Sequence, residues 1–150
     1  MRKFIAFLLV FYLTITQAQS TFSTDYFSFN CNCTQNENYY NPKNQSYNYS
    51  YGEKNSNSGY LLAIRKMLYR DKAKQKDYLL SIKNSETFSY QEIQFAGELA
   101  FLAEITQPNA FGRQIIFFHN NIAYTIMIVS DKKDVLDKLY YTFTNSFKFK

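Results

Sequence analysis

Residues 111–130, FGRQIIFFHNNIAYTIMIVS, decide how the rest of the chain is read. Two apolar runs, 111–119 and 122–130, flank Asn120-Asn121. Asn tolerates the positive φ that the centre of a two-residue hairpin turn requires. A turn there pairs His119 with Ile122, Phe117 with Tyr124 and Ile115 with Ile126. Phe118, Ile116, Ala123, Thr125 and Met127 then form the other face. Both faces are apolar, so the hairpin belongs in the middle of a sheet that is covered on both sides.

Working outward, the C-terminal side predicts a helix. Ser130 or Asp131 can cap it, and Asp134 suits the dipole of its first turn. Leu136, Leu139, Tyr140 and Phe143 recur at helical spacing, with Phe147 and Phe149 beyond. On the N-terminal side, 88–95 (FSYQEIQF) and 97–106 (GELAFLAEIT) read as two β segments hinged at Gly97. Leu99, Phe101, Ala103 and Ile105 share one face, and Pro108-Asn109 makes a turn. Residues 59–68 (GYLLAIRKML) suit a buried strand, although Leu, Ala, Met and Lys also favour helix. Asp71 offers a cap to a helix over 72–85, with Leu79, Ile82, Ala73 and Tyr78 inward and Lys72, Lys74, Lys76 and Lys83 mostly outward.

Residues 25–33 (DYFSFNCNC) read as one strand that turns Phe27, Phe29, Cys31 and Cys33 to the core. The Asn-, Ser- and Tyr-rich stretch 34–58 reads as a long surface loop or a weak edge hairpin. Within it Tyr47, Tyr49 and Tyr51 alternate with polar residues, so a strand would carry three rings on one face. Edge pairing and a binding stripe both fit that pattern.

The first residues carry a different signal. Arg2 and Lys3 precede the apolar run Phe4 to Ile15, and Thr16-Gln17-Ala18 ends in a small residue. This is the layout of a cleavable secretory signal over 1–18, with a single domain over 19–150. The apolar run is shorter than the roughly 20 residues a membrane-spanning helix needs. The expected destination is the periplasm or the cell exterior, with no membrane span after signal removal.

The chain has 17 basic and 12 acidic side chains; without Arg2 and Lys3 the count is 15 against 12. The basic residues are scattered among acidic ones, whereas a nucleic-acid binder concentrates them on one face. No nucleic-acid partner is therefore expected. The 14 Tyr and 15 Phe can stack on a ligand, but they are also ordinary strand and core residues.

Few residues suggest chemistry. Cys31-Asn32-Cys33 places two thiols on one side of a strand. A tight disulfide, two buried free thiols and a soft-metal site all fit; zinc would need two further ligands, and the chain has one His. His119 sits at a hairpin turn with no Ser or Cys motif beside it. Glu98 and Glu104 share a strand face, and Arg113 is placed to pair with one of them across the sheet. There is no Gly-rich phosphate loop, Gly-x-Ser-x-Gly or His-Glu-x-x-His. No cofactor and no catalytic residue are expected. Asn32, Asn44 and Asn48 head glycosylation sequons, which matter only in a host that glycosylates exported proteins.

The coarse order is β-β-α-β-β-β-α. With Gly97-Glu98-Leu99-Ala100 opening a strand, Arg113 on the next, the Asn121-Ile122-Ala123-Tyr124-Thr125-Ile126 return strand and a helix closing on Asn145-Ser146-Phe147, residues 59–149 resemble the PsbP-like superfamily, which includes the nuclear-transport protein Mog. The Asn/Tyr-rich segment and the Cys pair lie outside that pattern. The resemblance implies an α+β fold, a PsbP-like sandwich with an antiparallel sheet flanked by helices, and no common active site. It implies an exported, non-catalytic protein-binding or adaptor domain with a protein partner. A carrier of a small apolar ligand, held between sheet and helices, is the alternative.

Overall fold

The structure, a computed structural model, describes residues 19–66, 71–84 and 88–150. The expected signal sequence lies outside the described residues, as do the ends of the strand expected over 59–68 and of the helix expected over 72–85.

The Asn120-Asn121 turn forms with φ of 48° and 62°. It joins β8 (Ala110–His119) to β9 (Ile122–Ser130) with the expected partners His119 and Ile122, Phe117 and Tyr124, Ile115 and Ile126. This hairpin is the centre of a seven-stranded antiparallel sheet. Outside β8 lie β7 (Glu98–Gln107) and β6 (Tyr90–Phe95); outside β9 lie β5 (Gly59–Lys66), β4 (Ser46–Glu53) and β3 (Cys33–Asn41). The β6–β7 turn holds Ala96 and Gly97 at φ of 50° and 85°, a conformation in which only glycine avoids strain. A second, small sheet joins β1 (Ser20–Ser23), β2 (Phe27–Cys31) and β10 (Lys148–Phe149).

Helices cover opposite faces of the large sheet. α1 (Lys72–Lys83) is capped by Asp71, whose side chain accepts from the Ala73 N–H at 2.8 Å. Its Leu79 packs with Tyr90, Phe101, Ala103, Ile116 and Phe118 on one face. Tyr78 and Ile82 join that contact, whereas Ala73 is exposed. α2 (Lys133–Ser146) and the small sheet close the other face. Phe27 and Phe29 of β2, Phe143 of α2 and Phe147 after it meet Tyr60, Phe95, Phe117 and Tyr124 there. Fully burying one such ring stabilises the fold by about 1.5–3 kcal/mol.

The chain is therefore α+β with antiparallel sheets, but three expectations need correction. Among the described residues, ten strands and two helices replace the order β-β-α-β-β-β-α, because 34–58 folds within the β3–β4 hairpin and residues 20–23 and 148–149 add strands to the small sheet. The single strand over 25–33 breaks at Asn32, where the backbone bends and passes from one sheet to the other. α2 begins at Lys132 without a side-chain cap; Ser130 Oγ instead accepts from the Lys132 N–H at 3.1 Å.

Candidate functional site: a cleft beside the Cys31–Cys33 bridge

The bend at Asn32 brings Cys31 and Cys33 to a Cα separation of 5.3 Å, and they form a disulfide. Fully extended backbone would hold them about 7 Å apart. The disulfide reading of this pair is the one the structure carries, and both sulfurs belong to the buried core. The same corner is tied to the end of β4, because Asn32 O accepts from the Lys54 N–H at 3.0 Å. Cys33 lies opposite Glu53 in the β3–β4 ladder, so their side chains share a face. Tyr60 lies on that face one strand further in, opposite Tyr51.

The sharp return between β4 and β5 depends on Gly59. A Cβ there would lie 2.3 Å from Tyr51 O. Glu53 N–H donates to Ser58 O at 2.9 Å, and Ser58 Oγ donates to Ser130 Oγ at 2.9 Å, which fixes this return against the end of β9. Between the corner, the return and α2 lies a cleft of about 330 Å³. Cys31, Glu53 and Tyr60 line one side, and Val135, Leu139 and Thr142 the other. Lys54 and Lys138, both exposed, also line it, as does Gln19.

Two atoms of this cleft stand out. Among the described residues, Glu53 Oε2 and Tyr60 Oη are the buried side-chain polar atoms without a hydrogen-bond partner. Native interiors leave few such groups unmet, because each costs about 1–3 kcal/mol. Here both belong to residues that line one cleft, although each of the two atoms exposes less than 1 Å². Burial pushes the Tyr60 phenol well up, and the nearby Glu53 charge pushes it further. Burial also raises the Glu53 carboxyl, with Lys54 acting against the rise. The site thus offers a carboxylate and a phenolic oxygen at its buried end, an aliphatic wall, and two ammonium groups on exposed side chains. Among the described residues no three His, Cys, Asp or Glu side chains gather to hold a metal.

The expected tyrosine stripe is a different matter. Tyr47, Tyr49 and Tyr51 do share a face of β4, but that face is the core face. Tyr49 and Tyr51 are 6% and 2% exposed, and Tyr47 37%. The small sheet folds over them: Tyr49 meets Phe27 of β2 edge-on at 5.4 Å, and Tyr51 meets Phe29 of β2 at 5.1 Å and Phe22 of β1 at 5.0 Å. Of the three rings, only that of Tyr47 is open to a partner.

His119 is held by its neighbours. Its Nδ1 donates to Glu98 Oε1 at 2.7 Å, Nε2 accepts from Asn120 Nδ2 at 3.0 Å, and the ring stacks on Phe149 at 3.6 Å. Arg113 pairs across the sheet with Glu104 at 3.1 Å and reaches Asp137 of α2 at 2.7 Å, its guanidinium 4.6 Å above the Tyr140 ring. These contacts tie the second helix to the sheet.

On the α1 side, no helix of the described residues covers the half of the sheet built from β3, β4, β5 and β9. A shallow groove of about 230 Å³ lies there, lined among others by Tyr39, Asn48, Leu61, Ala63, Thr125 and Met127. Leu61 and Tyr39 are half exposed. No helix among the described residues is long and apolar enough to cross a membrane.

Sequence reasoning missed Glu53 and Tyr60. Glu53 lies in a polar stretch with no motif around it, and Tyr60 looks like any strand aromatic. Their meeting depends on the fold of the 34–58 hairpin, which the sequence left open. No protein-family model matches the chain, and no curated protein does.

Proposed function

We propose that this chain is an exported, non-catalytic binding domain that carries a small polar ligand in the cleft between α2 and the Cys31–Cys33 corner. The observation that carries the proposal is a cleft whose lining residues Glu53 and Tyr60 hold the two unmet buried polar atoms. A ligand towards which these side chains turn as it enters would remove their desolvation cost on binding. The carrier alternative raised by the sequence is thereby changed in one respect: the cleft receives a polar end. Export is supported by the Arg2-Lys3 and Phe4 to Ile15 pattern. The non-catalytic reading is supported by the resemblance to PsbP-like domains, which implies no common active site.

Native mass spectrometry of freshly purified protein tests this reading. The expected result is a bound small molecule that is lost on denaturation and absent from a Thr142→Trp variant, whose indole fills the cleft. An unliganded native spectrum, together with no thermal shift from small-molecule extracts of the source cells, refutes it.

The adaptor reading keeps one specific observation, the half-exposed Leu61 and Tyr39 on the helix-free half of the sheet. It would place there a partner protein that presents its own apolar side chains. Leu61→Glu should then abolish capture of that partner without changing the melting temperature; unchanged capture removes this face from consideration.

A further inference from the structure

We infer that export leaves this chain with a closed amino terminus: Gln19, freed by cleavage after Ala18, cyclises to pyroglutamate beside the cleft that it lines. The inference rests on the export reading above and is independent of what the cleft binds.

Sequence and fold meet at this residue from opposite sides. The secretory-signal pattern ends at Ala18, and β1 begins at Ser20, which pairs with Cys31. Gln19 stands between them, exposed and ahead of the first pair of the β1–β2 ladder. Glutamine carries its amide carbon where a terminal amine can close on it without ring strain. The neutral α-amine nitrogen attacks Cδ of the side chain. The N–Cδ bond forms, the Cδ–Nε2 bond breaks, and ammonia leaves with the proton that the α-nitrogen gives up. The step needs no oxidant and no co-reactant.

The surroundings favour the product. A free α-amine titrates at about 7.7–8.0 and is largely an ammonium at neutral pH. Lys54 and Lys138 line the same cleft, so a further positive charge beside it is repelled, whereas the lactam nitrogen carries none. Glu53 also lines the cleft, but burial works against its charged form. The lactam has a consequence for an exported chain, whose ends are where proteolysis concentrates. It leaves no ammonium for an aminopeptidase to grip. Trimming from this end would strip β1, whose Phe22 meets Phe29 at 6.2 Å and Tyr51 at 5.0 Å. A closed Gln19 thus protects the small sheet outside the cell.

The test is the intact mass of the protein recovered from its source cells, with fragmentation of its amino-terminal peptide. The expected chain starts at Gln19 and is one ammonia lighter than residues 19–150. After denaturation, its terminus resists Edman degradation until a pyroglutamyl peptidase removes the first residue and exposes Ser20. Gln19→Asn keeps the amide but is one methylene too short to cyclise, so it should show its full mass and a free amine. A wild-type chain that starts at Gln19 with its full mass overturns the inference and leaves the export reading standing. A cleaved chain that starts at any other residue does the same. Ammonia loss that persists in Gln19→Asn places the change at another amide and also overturns the inference. A chain that retains residues 1–18 overturns both the inference and the export reading.

Discussion

Replacing Tyr60 by Phe should make the ligand-free protein more stable, the reverse of what deleting a buried hydroxyl ordinarily does. The ring contacts survive the change: Phe29 lies 5.3 Å and Phe143 5.6 Å from the Tyr60 ring centroid. What disappears is an Oη without a hydrogen-bond partner. An unmet buried hydroxyl costs about 1–3 kcal/mol, and an adjoining cleft that admits water brings the figure to the low end, about 1 kcal/mol. For a domain of this size that raises the melting temperature by about 3–5 °C. Tyr90→Phe provides the opposite case. Tyr90 is also buried, but its Oη donates to Gln114 Oε1, so the variant should lose about 1 kcal/mol. Urea denaturation of wild type and both variants, refolded without ligand, reads the two signs directly. If Tyr60→Phe is destabilised as much as Tyr90→Phe, the Tyr60 hydroxyl has a partner and the argument for an unmet cleft fails.

Phe143→Ala removes a fully buried ring that touches Phe29, Tyr60, Phe95 and Phe147, and should cost about 3–5 kcal/mol by denaturant titration. A loss below about 1 kcal/mol would mean that α2 does not seal the core. Reducing the Cys31–Cys33 bridge opens a loop of sequence separation 2, so its entropic contribution is at most about 1.5 kcal/mol. The far-ultraviolet circular dichroism should therefore be unchanged in dithiothreitol, and unfolding there would refute the small contribution. Tyr51 and Tyr124 are pushed up to about 12 from the ordinary 10.0, chiefly by burial. The unfolded chain ionises these phenols first, so stability should hold below about pH 10 and fall as pH climbs towards 12. Absorbance titration at alkaline pH should show a late group of phenols that ionises together with unfolding.

Much of the fold follows from local pattern. The β8–β9 hairpin announces itself through two asparagines and matched apolar runs, and α1 through Asp71 and the inward Leu79, because turn and cap preferences act over a few residues. The Asn/Tyr-rich hairpin is less legible. Its outward strand β3 is exposed along nearly its whole length and so lacks the apolar alternation by which strands are recognised, while the inward face of β4 is made of tyrosines that suit surface and core alike. The break at Asn32 is invisible for another reason. The alternation of Phe27, Phe29, Cys31 and Cys33 continues through it, since both sheets turn these side chains to one core. The cleft inherits these difficulties, being assembled from β4, β5, the Asn32 bend and α2. Of its residues Cys31, Asn32 and Leu139 could be singled out in advance, none of them as part of a cleft.

The small sheet couples the two ends of the chain. Lys148 pairs with Ser28 and Phe149 with Phe27, partners about 120 positions apart in sequence, and Lys150 N–H donates to Tyr26 O at 3.1 Å. Until the last residues are available, Phe27 and Phe29 lack the covering that Phe143 and Phe147 give them, and the core stays open to water. Contacts of such long range are made late. At a synthesis rate of about 5–20 residues per second, the growing chain passes on the order of ten seconds without a completed core. On the export reading proposed above, a channel that threads unfolded polypeptide would meet the chain before this core is complete.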